Sequence, residues 1–327
     1  MHIPEGSFKF KVGKGNFEPI IERFGGPKAL DEWEKLQTVL KPIQALATAI
    51  PPLILRSDAG VVRTMLPHML KLLRGGPIAN KVQGSFYDVT KNVIKSEFLK
   101  NWFEFLSFAL SGLPADGTIA AAVAYTMRDL HQEGAALDYP IGGSAAVVEA
   151  LVRGIEQGPP PTFPSSTSSF PTPSSSSSSS TPNPTPPPHG RVLLNSHVSQ
   201  IIVENGRAVG VELRKGKKQI RAKRAVISNA SIWDTTRLLP EGALPAEVAK
   251  TNMDTPMTGS FVHLHLGIDA TGLGDIESHY SVVNSWEKID APQNHVIISI
   301  PSVLDPGLAP AGCHTIHAYA AANEVRV

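Results

Sequence analysis

Tyr139-Pro-Ile-Gly-Gly-Ser144, a helically spaced run over 145–156, and then Val198-Ser-Gln-Ile-Ile-Val-Glu-Asn-Gly-Arg-Ala-Val-Gly-Val211 and Ala225-Val-Ile-Ser-Asn-Ala230 decide how this chain folds. Val192 and Leu194, then Val198, Ile201 and Val203, then Val209, Val211 and Leu213 recur near period two, the spacing of half-buried strands. Asn205-Gly206 offers two residues that tolerate positive φ and predicts a tight hairpin. Residues 221–224 read as polar and exposed. Residues 225–227 are continuously apolar and predict a strand buried on both faces of a parallel sheet. The order is helix, a meander of three short strands, and a buried strand.

Outward from this stretch, three further motifs follow: Trp233-Asp-Thr235, His263-Leu-His-Leu-Gly-Ile-Asp269 and Ile298-Ser-Ile-Pro-Ser-Val-Leu-Asp305. In this order and spacing the motifs resemble the carotenoid isomerase-like and phytoene desaturase branch of the FAD-dependent amine oxidase superfamily, over most of the chain. The resemblance implies an α/β fold with α+β character, a partial FAD-dependent oxidoreductase fold of the glutathione reductase-like kind with a helical and antiparallel-sheet substrate domain. It also implies FAD in the complete protein, a plastid location, and a long isoprenoid or carotenoid-type polyene as substrate. Carried over by position, the backbone of Val198 would pair with the adenine, and Ser228, Asn229 and Ala230 would close a strand end near the adenosine. Gly142 and Gly143 would let the backbone approach the cofactor and expose the amides of the following helix, or else form a plain loop into a helix capped by Ser144.

The same family has a first strand, a Gly-x-Gly-x-x-Gly turn and a helix that hold the pyrophosphate, and a second glycine-rich flavin contact near its end. Neither is found in these 327 residues, so the expected reading is the middle of a flavoenzyme. Its divisions are 1–138 as a mostly helical substrate-domain part, 139–157 with 189–232 as part of the FAD-binding domain, 158–188 as an insert, and 233–327 as substrate-domain helix and sheet. Gly13-Lys-Gly-Asn-Phe-Glu18 has only a superficial likeness to a nucleotide loop, because no buried strand precedes it, and reads as a surface turn.

Composition narrows the classes further. Thirty basic and 29 acidic residues give a net charge of +1, without the concentrated positive surface that nucleic acid requires. Cys313 is the single cysteine, which excludes an intramolecular disulfide and reads as a buried structural thiol. No run reaches the roughly 18 apolar residues of a membrane span, and Met1-His-Ile-Pro-Glu5 reads as neither a signal nor a transit peptide. No Gly-x-Ser-x-Gly elbow, telling acidic pair or His-Glu-x-x-His helix points to hydrolysis. An enzyme of this sequence would leave the reactive chemistry to a cofactor.

Residues 8–26 read as a short, glycine-rich mixed segment. Pro27 opens a helix with Leu30, Trp33, Leu36 and Leu40 on one face. Residues 43–55 are apolar but broken by Pro51-Pro52, and 61–74 form a basic amphipathic pattern compatible with core packing or with peripheral membrane contact. Residues 101–113 carry a wide apolar stripe of Trp102, Phe105, Leu106, Ala109, Leu110 and Leu113. Such a stripe is core, or else part of the wall of a channel for an apolar substrate, with Trp102, Phe105 and Leu106 as the lining candidates. Residues 118–133 predict another helix, ending near Gly134.

Residues 158–188 hold no charge and are almost entirely Ser, Pro and Thr, so they predict a disordered insert that loops out of the sheet. Trp233 to Leu239 reads as a short helix. A strand over 260–268 sets His263 and His265 on one face, and further strands are predicted over 296–300 and 315–320. His-x-His on a strand can aim two imidazoles at a metal, with His279, His295, His314 and His317 downstream. No cysteine pair or acidic residue sits at ligand spacing, and the resembling family has no metal site. The expectation is no metal, with these histidines packing or hydrogen bonding.

Overall fold

The computed structural model describes residues 1–47, 79–158, 190–257 and 259–322. In chain order its strands are β1 (His2–Ile3), β2 (Gly6–Ser7), β3 (Val198–Glu204), β4 (Arg207–Leu213), β5 (Gln219–Arg221), β6 (Phe261–Asp269), β7 (His279–Val283), β8 (His295–Ser299) and β9 (Cys313–Ala321). Its helices are α1 (Glu18–Gly25), α2 (Pro27–Ala47), α3 (Ala79–Gln83), α4 (Phe86–Thr90), α5 (Glu97–Ser111), α6 (Ala120–His131), α7 (Gly143–Gln157), α8 (Ile232–Leu238) and α9 (Ala246–Asp254). The chain divides into two units, residues 1–143 with 258–327, and residues 144–257.

In the first unit, helices and an antiparallel sheet share one core. Trp33, Leu36, Leu40 and Ile43 of α2 recur every three to four residues and are all buried, as a 3.6-residue repeat facing a core requires. Helix α5 adds Phe98, Leu99, Trp102, Phe103, Phe105, Leu106 and Phe108. Its first turn is closed by a residue distant in sequence. Glu32 Oε2 accepts from the amides of Lys95 (2.7 Å) and Ser96 (2.9 Å), placing a carboxylate where the helix dipole favours one. Gly112 ends the helix in the left-handed region (φ 74°), its N–H donating to the Phe108 carbonyl.

The sheet of this unit runs β2-β1-β7-β8-β9-β6. Nine residue pairs, from Phe261↔Ala321 to Asp269↔Cys313, zip β6 to β9. All its pairings are antiparallel except β1 with β7, where His2 lies beside Val282. In the second unit, β3, β4 and β5 form an antiparallel meander, turned between β3 and β4 by Asn205 (φ 50°) and Gly206 (φ 74°) as the sequence predicts. Together these give a mixed α/β protein with antiparallel sheets.

Several expectations are corrected. The third strand of the meander is Gln219–Arg221, not 192–194, because the polar 221–224 segment begins by pairing with β4. Residues 225–227 form no strand: none among the described residues pairs with them, and Ile227 is 92% exposed. Residues 8–26, read as a short mixed segment, contain α1. Strands β1, β2 and β7 and helix α9, none of which stands out in the sequence, are present. Helix α5 starts at Glu97 and exposes Ala109 and Leu110, and α6 stops at His131. Ser144 lies inside the first turn of α7 rather than ahead of it, and Cys313 is half-buried. The 61–74 pattern and all but the first residue of the Ser/Pro insert lie outside the described residues. Among the described residues no helix is long and apolar enough to cross a membrane.

Candidate functional site

The lining candidates Trp102, Phe105 and Leu106 come from consecutive turns of α5 and lie in the core of the first unit. Trp102 packs on Phe17 (ring centroids 4.5 Å), Phe10 (5.5 Å) and Phe105 (5.2 Å). Phe105 meets the sheet at His295, edge to face at 4.8 Å, and Phe108 stands 6.1 Å from the same imidazole. The same ring also makes a polar contact, between His295 Nε2 and Ser281 Oγ at 2.8 Å. Burial disfavours the imidazolium there and brings the His295 pKa down to about 4. His131 behaves similarly, lowered to about 4 by burial and partly offset by Glu18. The sequence gives no local signal for His295, whose role depends on β8 passing beside α5.

Gly142 and Gly143 both have positive φ (85° and 67°), a backbone conformation that glycine tolerates. What approaches them is protein. The Gly142 amide donates to Asp305 Oδ2 at 2.7 Å, and a Cβ on Gly143 would lie 3.1 Å from the Tyr139 hydroxyl oxygen. A carboxylate already seated on this amide opposes a phosphate by charge as well as by occupancy, so the pair does not fit a pyrophosphate.

Val198 opens β3, opposite Leu213. Ser228, Asn229 and Ala230 are exposed in the segment before α8. Ser228 Oγ shares a hydrogen with Thr235 Oγ1 (2.7 Å), and Ser231 caps α8 by accepting from the Asp234 amide (3.0 Å). The exposed backbone of 228–230 is compatible with the edge of an adenine, but these residues offer no buried donor for a charged group. The described residues do not make a complete dinucleotide site by themselves.

A third grouping joins two histidines of one strand to a third from its neighbour. His263 and His265 share a face of β6, as the alternation predicts, and β9 brings His317 directly opposite His265. The His265 and His317 rings stack 4.3 Å apart, and His263 Nδ1 lies 2.9 Å from His317 Nε2.

A crystal structure of an oxidoreductase from Methanosarcina mazei superposes with a TM-score of 0.51 at 18% identity, over 83% of this chain and 53% of that one, a likeness of fold. In sequence, the chain is 29% identical over 236 residues to a chloroplastic prolycopene isomerase of Daucus carota, and 26% identical over 235 residues to one of Arabidopsis thaliana. Each match takes in 71% of this chain. The chain is homologous to the prolycopene isomerases, the carotenoid isomerase-like branch that its motifs resemble. It spans about a third of the length of the curated relatives it matches. No family model matches it.

Proposed function

We propose that this chain is part of an FAD-dependent, carotenoid isomerase-like oxidoreductase acting on a long apolar polyene, and that the 327 residues are incomplete as a catalyst. The observation that supports this reading is the 236-residue homology to prolycopene isomerases. In the proposed division, 139–157 and 189–232 belong to the cofactor-binding part, with Val198 and Ser228 to Ala230 at its adenosine end. The helical region and the 233–327 segment belong to the substrate side, with Trp102, Phe105 and Leu106 contributing its apolar wall. Most of the cofactor's grip is assigned to contacts outside the described residues, because the Gly142 amide is already taken by Asp305.

The test expresses the full gene product that contains this chain in cells that accumulate prolycopene, and follows its conversion by chromatography. Conversion, with FAD released on denaturation of the purified protein, is the expected result. An unchanged polyene pool in the presence of soluble, flavin-loaded protein would overturn the substrate; soluble protein without flavin would overturn the cofactor. A Phe105→Leu variant of that product then separates wall from core. Altered polyene selectivity at unchanged melting temperature identifies a wall residue, and destabilisation at unchanged selectivity identifies plain core.

A second reading, a lipid- or partner-binding module without catalysis, is favoured by one observation. Helix α7 leaves Val147, Val148, Leu151 and Ile155 exposed along its length. Cosedimentation of the 327-residue chain with neutral lipid vesicles, abolished by Leu151→Lys, would support it. Absence of binding removes it.

A further inference from the structure

We propose that His263, His265 and His317 form a binding site for one borderline divalent transition-metal ion of the zinc class. The inference is independent of the function proposed above and rests on the β6–β9 pair alone. His263 and His265 are two residues apart on β6 and so project from the same face. His317 is the cross-strand partner of His265, and cross-strand partners also share a face. Nine consecutive register pairs hold the two strands, so the three imidazoles stand on a fixed base rather than on a loop.

The distances suit a single ion. One ring nitrogen from each histidine lies within 4.8 Å of the others, and His263 Nδ1 and His317 Nε2 are already 2.9 Å apart. Tetrahedral coordination at the usual zinc–nitrogen length of about 2.0–2.1 Å sets ligand nitrogens about 3.3 Å apart. Closure therefore requires a separation of a few tenths of an ångström in one pair and an approach by the third ring. The rings are now nearly parallel, 2° between His265 and His317 and 13° between His263 and His317. To direct its lone pair inward, His265 turns about Cβ–Cγ, a soft torsion, and its exposure leaves room for the turn.

Protonation is compatible as well. In the hydrogen bond between His263 and His317 one ring donates. On binding, its proton moves to the other nitrogen of the same ring, leaving both facing nitrogens as lone-pair donors. Three imidazoles without thiolate or carboxylate favour Zn²⁺, Cu²⁺, Ni²⁺ or Co²⁺ over Mg²⁺ or Ca²⁺. They leave a fourth position for water or an anion. The sheet edge would gain a clamp between its last two strands.

The test uses the untagged 327-residue chain, stripped with chelator and titrated with ZnCl₂ by calorimetry, with CoCl₂ in parallel for its visible spectrum. The expected result is one equivalent of Zn²⁺ bound, with Co²⁺ bands of a four-coordinate nitrogen site. His317→Asn and His263→Asn should each weaken Zn²⁺ by more than the ~10–100-fold that loss of an outer-sphere partner costs. His279→Asn, on β7, should leave affinity unchanged. Circular dichroism of each variant separates a lost ligand from a lost fold. Absence of stoichiometric binding by folded wild-type chain overturns the proposal. So does wild-type affinity in a folded His263→Asn/His265→Asn double variant, or an equal loss in His279→Asn.

Discussion

Helices α5 and α7 are each fifteen residues long, and each has an apolar stripe at helical spacing, yet their surroundings differ. In α5, eight residues are buried against α1, α2, α6 and the sheet, including five aromatic rings. In α7, Val147, Val148, Leu151 and Ile155 are 47–64% exposed, and Gly143 is the one buried residue of the helix. The same contrast holds outside the helices, because Val283 of β7 is buried whereas Ile227, in the continuously apolar run 225–227, is open. An amphipathic pattern specifies an element that needs a partner without supplying one. Burying a side chain such as Leu or Val is worth about 1.5–3 kcal/mol, a gain that α5 realises and that α7 does not among the described residues.

The largest expected effect attacks this comparison directly. Phe17 is fully buried and touches the rings of Phe10, Trp33, Phe98, Trp102 and His131. Phe17→Ala should cost about 3–5 kcal/mol in a urea melt, whereas Leu151→Ala on α7 should change stability by no more than about 0.5 kcal/mol. A comparable loss at Leu151 would mean that α7 is covered in solution, and the contrast would collapse.

Next in size is a pH effect confined to the packed unit. With a folded pKa of about 4 against an ordinary 6.5, His295 folds as the neutral ring, and between these values the unfolded chain binds a proton that the folded chain does not. Its contribution is therefore fully present above about pH 6.5 and is lost as the pH falls towards 4. The full loss is on the order of 3 kcal/mol for a ring that is 2% exposed. Urea melts across this window should show the decline, and His295→Phe should flatten it, with His131 supplying a remaining slope in the same direction. An unchanged slope in the variant would remove His295 from the core.

In the second unit the best-specified feature is the hairpin. Gly206→Val forces a β-branched side chain into φ 74° and should cost about 1–2 kcal/mol, seen as faster amide exchange across β3 and β4. If exchange there is fast already and does not change, the meander is less ordered than the packed unit. The smallest effect on stability is expected at Ile227→Lys, within about 0.5 kcal/mol, accompanied by reduced aggregation. A larger loss would show that Ile227 is covered in solution.

What could be read from the sequence was local. Asn205-Gly206 determined the hairpin, the spacing of Trp33, Leu36 and Leu40 determined the buried face of α2, and His-x-His determined that two imidazoles share a face of β6. Each depends on backbone preferences or side-chain periods that operate within a turn or a few residues. Tertiary structure decided the rest. It set Glu32 on the amides of residues 95 and 96, occupied the Gly142 amide with Asp305, brought His317 opposite His265, and left 225–227 without a neighbouring strand among the described residues. These outcomes depend on residues tens to well over a hundred positions apart, and a side-chain period fixes which face an element presents but not which distant segment meets it.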